Sequence, residues 1–458
     1  MSISSRLRKL GMTFFLAFVV LGIGTHLGVA LVADNRLTTP WSGGGDTPEY
    51  VALAGNLLSG DGYTFAHQAT AFRAPLYPLL LTVLMMLSSK HWLITLRALQ
   101  FLASLATAWL CGRLARRWFG ITAGRFAAIT ALYFPTLLFF TGEVLTECTA
   151  ALLVIIFLLR FDEALRVPTT RSLGLLGLSA GVVALERFNA AALVLVALFV
   201  VFVWTPRRLQ GARSEAPSHM PTATRLRRLV IVGAACGIVV GPWLIHTAVA
   251  FRGQALYTTH SGFGAVEGVI MPLGRTQTGE TDLIKKELGW GNWDVESNST
   301  MRLKLPSEPE LNRQAWNVAR RLWSEKRWSL APIGAQKICA FWLSTDQIIY
   351  THSLTWRKRV VRSTGVVLYW MILMLAVFGW FRLRGAHPSI AAALLLYALV
   401  LTVMHLPFTM NTRLRSPLVD PLLASLAGGG LVSVTEHFRP RSSPYKGNNL
   451  DGDRINAT

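Results

Sequence analysis

The feature that most restricts this chain is a succession of apolar segments, each long or nearly long enough to cross a bilayer, separated by short basic clusters. They lie near residues 11–33, 93–112, 121–141, 144–160, 172–186, 188–204, 228–250, 363–381, 389–406 and 416–434. A spanning helix needs roughly 20 apolar residues, and segments near 15 mark the lower limit. In hydrocarbon a segment must satisfy its own backbone hydrogen bonds, so apolar runs of this kind can only be helices. The expected fold class is therefore an all-α polytopic membrane protein with about 10 transmembrane helices. A further apolar piece, "PLYPLLLTVLMML" at 75–87, is shorter and suits an interfacial or re-entrant segment.

Composition supports the membrane class. The chain is 52% hydrophobic and 15% charged, against roughly 25% charged in soluble domains. Its formal net charge of +21 raises the question of nucleic acid. The Lys and Arg residues sit in clusters between apolar runs rather than along one soluble face, which excludes a nucleic-acid partner and fits the positive-inside rule. With Arg6, Arg8 and Lys9 inside and 75–88 not crossing, the basic loops at 113–125, 160–171, 206–228 and 381–385 and the tail all fall on the cytoplasmic side. Had 75–88 crossed, those loops would lie outside. "WRKRVVR" at 356–362 stays outside, at the end of a loop long enough to translocate regardless of charge.

The expected topology is a multi-pass protein of the plasma (inner) membrane with both termini cytoplasmic. Residues 1–434 form one transmembrane domain, and 435–458 form a basic tail. The N-terminal apolar run is too long for a signal-peptide core and is read as a retained helix. Two long extracytoplasmic loops, 34–92 and 251–362, carry Trp-rich amphipathic stretches such as "ELNRQAWNVARRLWSEKRW", which suit interfacial helices. Loops of this length are seldom mere connectors. The four cysteines form no C-x-x-C pair, so neither a disulfide framework nor a zinc site is indicated.

Candidate functional residues cluster on the outer side. Asp46, Glu49 and Tyr50 open "DTPEYVALAGNLLSG" after three glycines. Asp46 is either a plain helix cap or, beside flexible backbone, part of a site. Glu143 and Glu147, four apart in "FTGEVLTECTAALL", share a helical face. Carboxylates at the membrane are costly unless solvated or used. Arg187 in "ALERFNAA" is either paired with adjacent Glu186 or free to bind phosphate, whose oxygens match its fork. Arg73 before "APLYP", and Arg413 and Arg415 in "NTRLRSPLVDP", fall at the same surface. His260 in "LYTTHSGFG" is either a loop histidine or a candidate metal ligand. "GGG" at 43–45 lacks the context of a phosphate loop, and the sequon at Asn298 is a short motif of low specificity.

The order of these pieces resembles the GT-C fold glycosyltransferases: an outer loop opening on Asp, "RAPLYPLL", "RLARRWFG", "GEVLTE", "ALERFNAA", "GPWLIHTAVAFRGQALYTTHSGFG" and "TRLRSPLVDPLLASLAG". It is similar to the bacterial relatives of protein O-mannosyltransferases and of the transferases that add aminoarabinose to lipid A. The resemblance covers 1 to about 434. It implies an enzyme that moves a sugar from a polyprenyl-phosphate carrier, with membrane lipid around it, to a glycan, lipid or protein acceptor at the outer face. It implies Asp46 as general base on the acceptor hydroxyl, and Glu147 or Glu143 as the second acidic position. Arg187 and Arg73 would contact the carrier phosphate. The first loop departs from the family's adjacent acids, reading Asp46-Thr47, and "WLIHT" stands where relatives have Arg-Asn; both leave a divalent metal ion and the acceptor open. A transporter or flippase and a lipid-linked oligosaccharide polymerase are the alternatives. A transporter would put its ionisable groups near the bilayer midplane.

Overall fold

A computed structural model describes residues 3–32, 46–65, 68–203, 221–270, 307–344, 356–410 and 412–437. The glycines 43–45, the sequon at Asn298 and most of the basic tail lie outside the described residues. In chain order the helices are α1 (Ile3–Val32), α2 (Thr47–Ser59), α3 (Leu76–Leu87), α4 (Trp92–Phe119), α5 (Ile121–Leu132), α6 (Pro135–Phe140), α7 (Glu147–Arg166), α8 (Thr170–Glu186), α9 (Ala191–Val203) and α10 (Thr222–Ala250). They continue with α11 (Ser261–Ile270), α12 (Glu308–Glu325), α13 (Leu330–Leu343), α14 (Trp356–Ala386), α15 (Pro388–His405) and α16 (Thr412–His437). A two-residue antiparallel hairpin, β1 (Thr64–Phe65) with β2 (Gln68–Ala69), is the one departure from all-α structure among the described residues.

Among the described residues six helices are long and apolar enough to cross a membrane: Met12–Leu31, Trp92–Phe119, Thr222–Ala250, Ser363–Ala386, Pro388–His405 and Thr412–His437. Of the other expected spans, α8 and α9 are shorter, 121–141 is interrupted, and the 20-residue α7 carries Glu147, Arg160, Asp162, Glu163 and Arg166. The run 121–141 breaks into α5 and α6 because Pro135 cannot continue a helix through Phe134. Segment 75–87 forms the 12-residue α3, which is too short to cross upright and packs its Tyr77, Leu81 and Leu84 face inward.

The core is built around α16. Pro417 and Pro421 lie inside it, and side chains occupy backbone acceptors along it: Tyr397 Oη donates to the Leu418 carbonyl and Cys111 Sγ to that of Pro421. Glycines let α14 and α16 touch backbone to backbone. A Cβ on Gly379 would meet the Leu426 carbonyl oxygen at 1.9 Å, and one on Gly430 the Leu375 carbonyl oxygen at 1.9 Å. Small residues at such crossings replace the hydrophobic driving force that lipid removes. At one end of the bundle Asp162 is buried among Trp118, which donates at 2.9 Å, and Arg166 at 3.0 Å. At the other end the starts of α2, α7 and α16 and the end of α8 converge.

Candidate active site

At that convergence each element contributes one or two charged side chains. Asp46 immediately precedes α2 and holds the N-cap position, but its side chain makes no capping hydrogen bond. Its carboxylate is spent elsewhere: Oδ1 lies 2.7 Å from Arg73 Nη2 and Oδ2 lies 2.7 Å from Arg413 Nη2. The plain helix-cap reading is thereby excluded. Glu49 follows one turn later on the same face and accepts from Arg73 Nε at 2.7 Å.

Arg73 reaches both carboxylates because the chain before it folds back over α2. The Thr64–Ala69 hairpin, the Thr70 amide on the Tyr63 carbonyl and the Tyr63 hydroxyl on the Arg73 carbonyl (3.0 Å) close that turn. The guanidinium is walled by aromatic rings, with Tyr50 at 5.6 Å and Phe72 at 5.0 Å from its centre. Tyr50 is itself buried, edge-on to Tyr77, and burial pushes its hydroxyl up to about 12. It serves as a wall and not as a titrating group at neutral pH.

The second half of the site comes from α7, α8 and α16. Glu147 is the first residue of α7, where the helix dipole favours a carboxylate. Its Oε1 receives Arg413 Nε at 2.6 Å and lies 3.0 Å from Arg187 Nη1. Arg187 sits at the break between α8 and α9 in extended backbone and also donates to Thr146 Oγ1 at 2.7 Å. Glu147 is 2% exposed, and its Oε2 is buried without a partner. The six groups form an alternating chain, Glu49–Arg73–Asp46–Arg413–Glu147–Arg187, in which three carboxylates balance three guanidiniums. Burial alone would raise the Asp46 carboxyl, but Arg73 and Arg413 overcome it and hold it well below the usual carboxylate range.

The geometry alters several sequence expectations. Glu143 is not on a helical face with Glu147: residues 141–146 form turns, and the Glu143 carbonyl accepts from Gln100 Nε2 at 2.7 Å. Glu186 does not pair with Arg187 but accepts from Thr149 Oγ1. Arg415 lies outside the cluster. It is fully buried, 3.2 Å from Asp420, and donates to the Phe341 carbonyl at 2.8 Å and the Tyr369 hydroxyl at 2.7 Å, tying α16 to α13 and α14. Glu49, which the sequence marks only by its closeness to Asp46, is a full member; the signal is its i+3 spacing.

His260 lies edge-on to Phe72 at 4.3 Å and tilted against Phe263 at 5.6 Å, with Nδ1 buried and unpartnered. Burial and then Arg73 lower its imidazole to about 3, against the opposing pull of Asp46. As a ligand set for a divalent metal these residues do not fit. Among the described residues no three His, Cys, Asp or Glu side chains converge, and the site carboxylates are each engaged by guanidinium.

The bundle has the GT-C fold of membrane glycosyltransferases. Over 93% of its length the chain superposes on the archaeal oligosaccharyltransferase AglB from Archaeoglobus fulgidus, in complex with an inhibitory peptide and a dolichol-phosphate, with a TM-score of 0.52 and 13% identity. The apo form of the Archaeoglobus fulgidus oligosaccharyltransferase gives 0.51 and 14% over 92%. The chain spans about half the length of those chains, 50% and 51%. ArnT from Cupriavidus metallidurans bound to undecaprenyl phosphate gives a TM-score of 0.41 at 16% identity, covering 92% of this chain and 78% of that one. Within the chain, residues 72–218, from the site loop through Glu147 and Arg187, match the family of dolichyl-phosphate-mannose-protein mannosyltransferases. No curated protein matches the chain by sequence.

Proposed function

We propose that this protein is an integral-membrane glycosyltransferase that moves a sugar from a polyprenyl-phosphate carrier to an acceptor hydroxyl at the extracytoplasmic face. The observation that carries the reading is the balanced ion-pair chain of Asp46, Glu49 and Glu147 with Arg73, Arg187 and Arg413, gathered at one end of a GT-C bundle. The family match over 72–218 and the dolichol-phosphate named in the complex of the fold's archaeal oligosaccharyltransferase support the donor class. Basic clusters at the opposite end of the bundle favour the outer face for the site.

In this reading the acceptor oxygen attacks the anomeric carbon as the bond from that carbon to the carrier phosphate breaks. The carrier leaves as a phosphate monoester whose added charge is met by fixed guanidiniums. The hydroxyl proton passes to Asp46, and a single displacement inverts the anomeric centre. At rest Asp46 is a weak base, because two guanidiniums stabilise its carboxylate. Guanidiniums have five donors each, so a bound phosphate can take over part of their hydrogen bonding. As it does so, Asp46 becomes more basic at the moment an acceptor proton must be removed. Glu147 and Glu49 hold the arginines in place between turnovers. Tyr50 and Phe72 keep Arg73 out of water. Arg415 has a structural role in this scheme, and the acceptor is a glycan, lipid or protein hydroxyl.

The test is transfer from a labelled polyprenyl-phosphate sugar in membranes carrying wild type or Asp46→Asn. Loss of a general base predicts a fall of about 10²–10⁴-fold in kcat. Equal rates would remove Asp46 from that role. Movement of a solute across vesicles, with no transfer from any lipid-phosphate sugar, would establish the transporter alternative instead.

A further inference from the structure

The second long outer region touches the site at one place that the mechanism has not used. Glu308 is the first residue of α12, where a carboxylate ordinarily needs no explanation beyond the helix dipole. Here its Oε2 reaches across the fold. It accepts the Ala71 amide at 3.0 Å, 237 residues away in sequence, and the Thr259 hydroxyl at 2.7 Å. Between those two partners the Thr259 amide donates to the Ala71 carbonyl at 3.1 Å. One carboxylate oxygen thus closes a three-membered hydrogen-bond ring joining the first outer loop, the segment after α10 and α12.

The grip continues down α12 at helical spacing. Asn312 Oδ1 accepts the Gly262 amide at 2.7 Å, and Trp316 Nε1 donates to Ser261 Oγ at 3.1 Å. Residues 308, 312 and 316 share one helical face. The fit is tight: a Cβ on Gly262 would meet the Asn312 carbonyl oxygen at 2.4 Å. Directly after Ala71 come Phe72, packed against His260, and Arg73, which holds Asp46 and Glu49. Ala71 is fully buried, so its amide has no water to fall back on if the carboxylate is removed.

We infer that Glu308 is a positioning residue, fixing the backbone at Ala71 and Thr259 so that Arg73 is held at the phosphate-binding end of the site. The inference rests on the proposed reaction for its kinetic consequence, but not for its structural one. The full-length protein in lipid nanodiscs is compared as wild type, Glu308→Ala, Glu308→Gln and Thr259→Val. Amide hydrogen exchange is followed in peptides covering 68–73 and 256–262. Glu308→Ala is expected to speed exchange in both by about tenfold, one lost buried hydrogen bond, while α4 is unchanged. Glu308→Gln, which keeps an acceptor oxygen, should restore most of the protection. In transfer assays Glu308→Ala should raise the apparent KM for the lipid-phosphate sugar about tenfold and leave kcat within about threefold.

Unchanged exchange at 68–73 in Glu308→Ala, or equal damage from Glu308→Gln, overturns the inference. If Glu308→Ala does not fold, Thr259→Val, which deletes one leg of the ring, must speed exchange in 256–262 or the inference falls. Wild type inactive with every lipid-phosphate sugar would refute the proposed reaction, and the exchange data would still decide the clamp.

Discussion

Removing Arg413 while keeping its bulk, as in Arg413→Met, cuts the ion-pair chain in its middle. Asp46 keeps only Arg73, Glu147 keeps only Arg187, and the cluster changes from neutral to one excess negative charge. Breaking a buried pair by deleting one partner costs about 3–5 kcal/mol. Asp46 and Arg413 are 23% and 19% exposed, so water recovers part of that at one pair, while Glu147 at 2% is not rehydrated. The expected loss is therefore about 2–3 kcal/mol. At about 2.1 cal/mol/K per residue, the unfolding entropy of a 458-residue chain makes that a fall in Tm of about 2–3 °C. The sharper readout is a cycle. Glu147→Gln restores neutrality, so Arg413→Met with Glu147→Gln should lose less than the two single losses together, with a coupling of about 1–2 kcal/mol. Thermal unfolding in detergent by intrinsic tryptophan fluorescence measures all four proteins. On the proposed reaction, in which Arg413 meets the carrier phosphate, the donor KM of Arg413→Met should rise about tenfold. Strict additivity in the cycle, with an unchanged donor KM, would refute the view that Arg413 couples the two halves of the site.

Three further expectations follow from the same geometry. Because Asp46 is held below the usual carboxylate range, its contribution to stability is complete above the unfolded value of 3.8 and is lost only as pH falls through the lower folded value. The acid side of kcat/KM should accordingly carry no limb from Asp46 above about pH 4. His260 has the same sign in a higher window: folded at about 3 and unfolded at 6.5, it takes up its proton first in the unfolded chain, so stability is lost as pH falls from about 6.5 towards 3. Below pH 6.5, wild type should therefore lose Tm faster than His260→Ala; parallel curves would contradict the buried neutral imidazole. Arg415→Met strands the fully buried Asp420 and should cost about 3–5 kcal/mol of stability while leaving the donor KM of the folded fraction unchanged. A raised KM would return Arg415 to the site.

Much of the site was legible in the chain because its signals are local. Asp46 after three glycines, Arg73 before "APLYP" and Arg187 between two apolar runs each sit where a helix starts or ends at one end of the bundle, and partition between water and hydrocarbon fixes such positions. Glu49 was legible too, since i+3 on a helix needs no tertiary information. Glu143 was misplaced because the shared face with Glu147 presupposed a helix, and residues 141–146 instead turn between α6 and α7. The pairing of Arg187 was equally hidden, because an adjacent Glu186 in sequence is no nearer than a Glu147 on another helix once α7 and α8 pack.

By itself the sequence determined the membrane class, most of the helical segments and the gathering of most of the acids and arginines at one end, all consequences of hydropathy, helical period and backbone satisfaction in lipid. Only the tertiary structure decided which arginine does what. Arg413 and Arg415 stand two residues apart on α16, and at about 100° per residue they point to nearly opposite sides of the helix. One faces Asp46 and Glu147 at the mouth of the site. The other faces Asp420, Tyr369 and the Phe341 carbonyl in the core. The chain spells both with the same letter, and the rotation of α16 against its neighbours tells them apart.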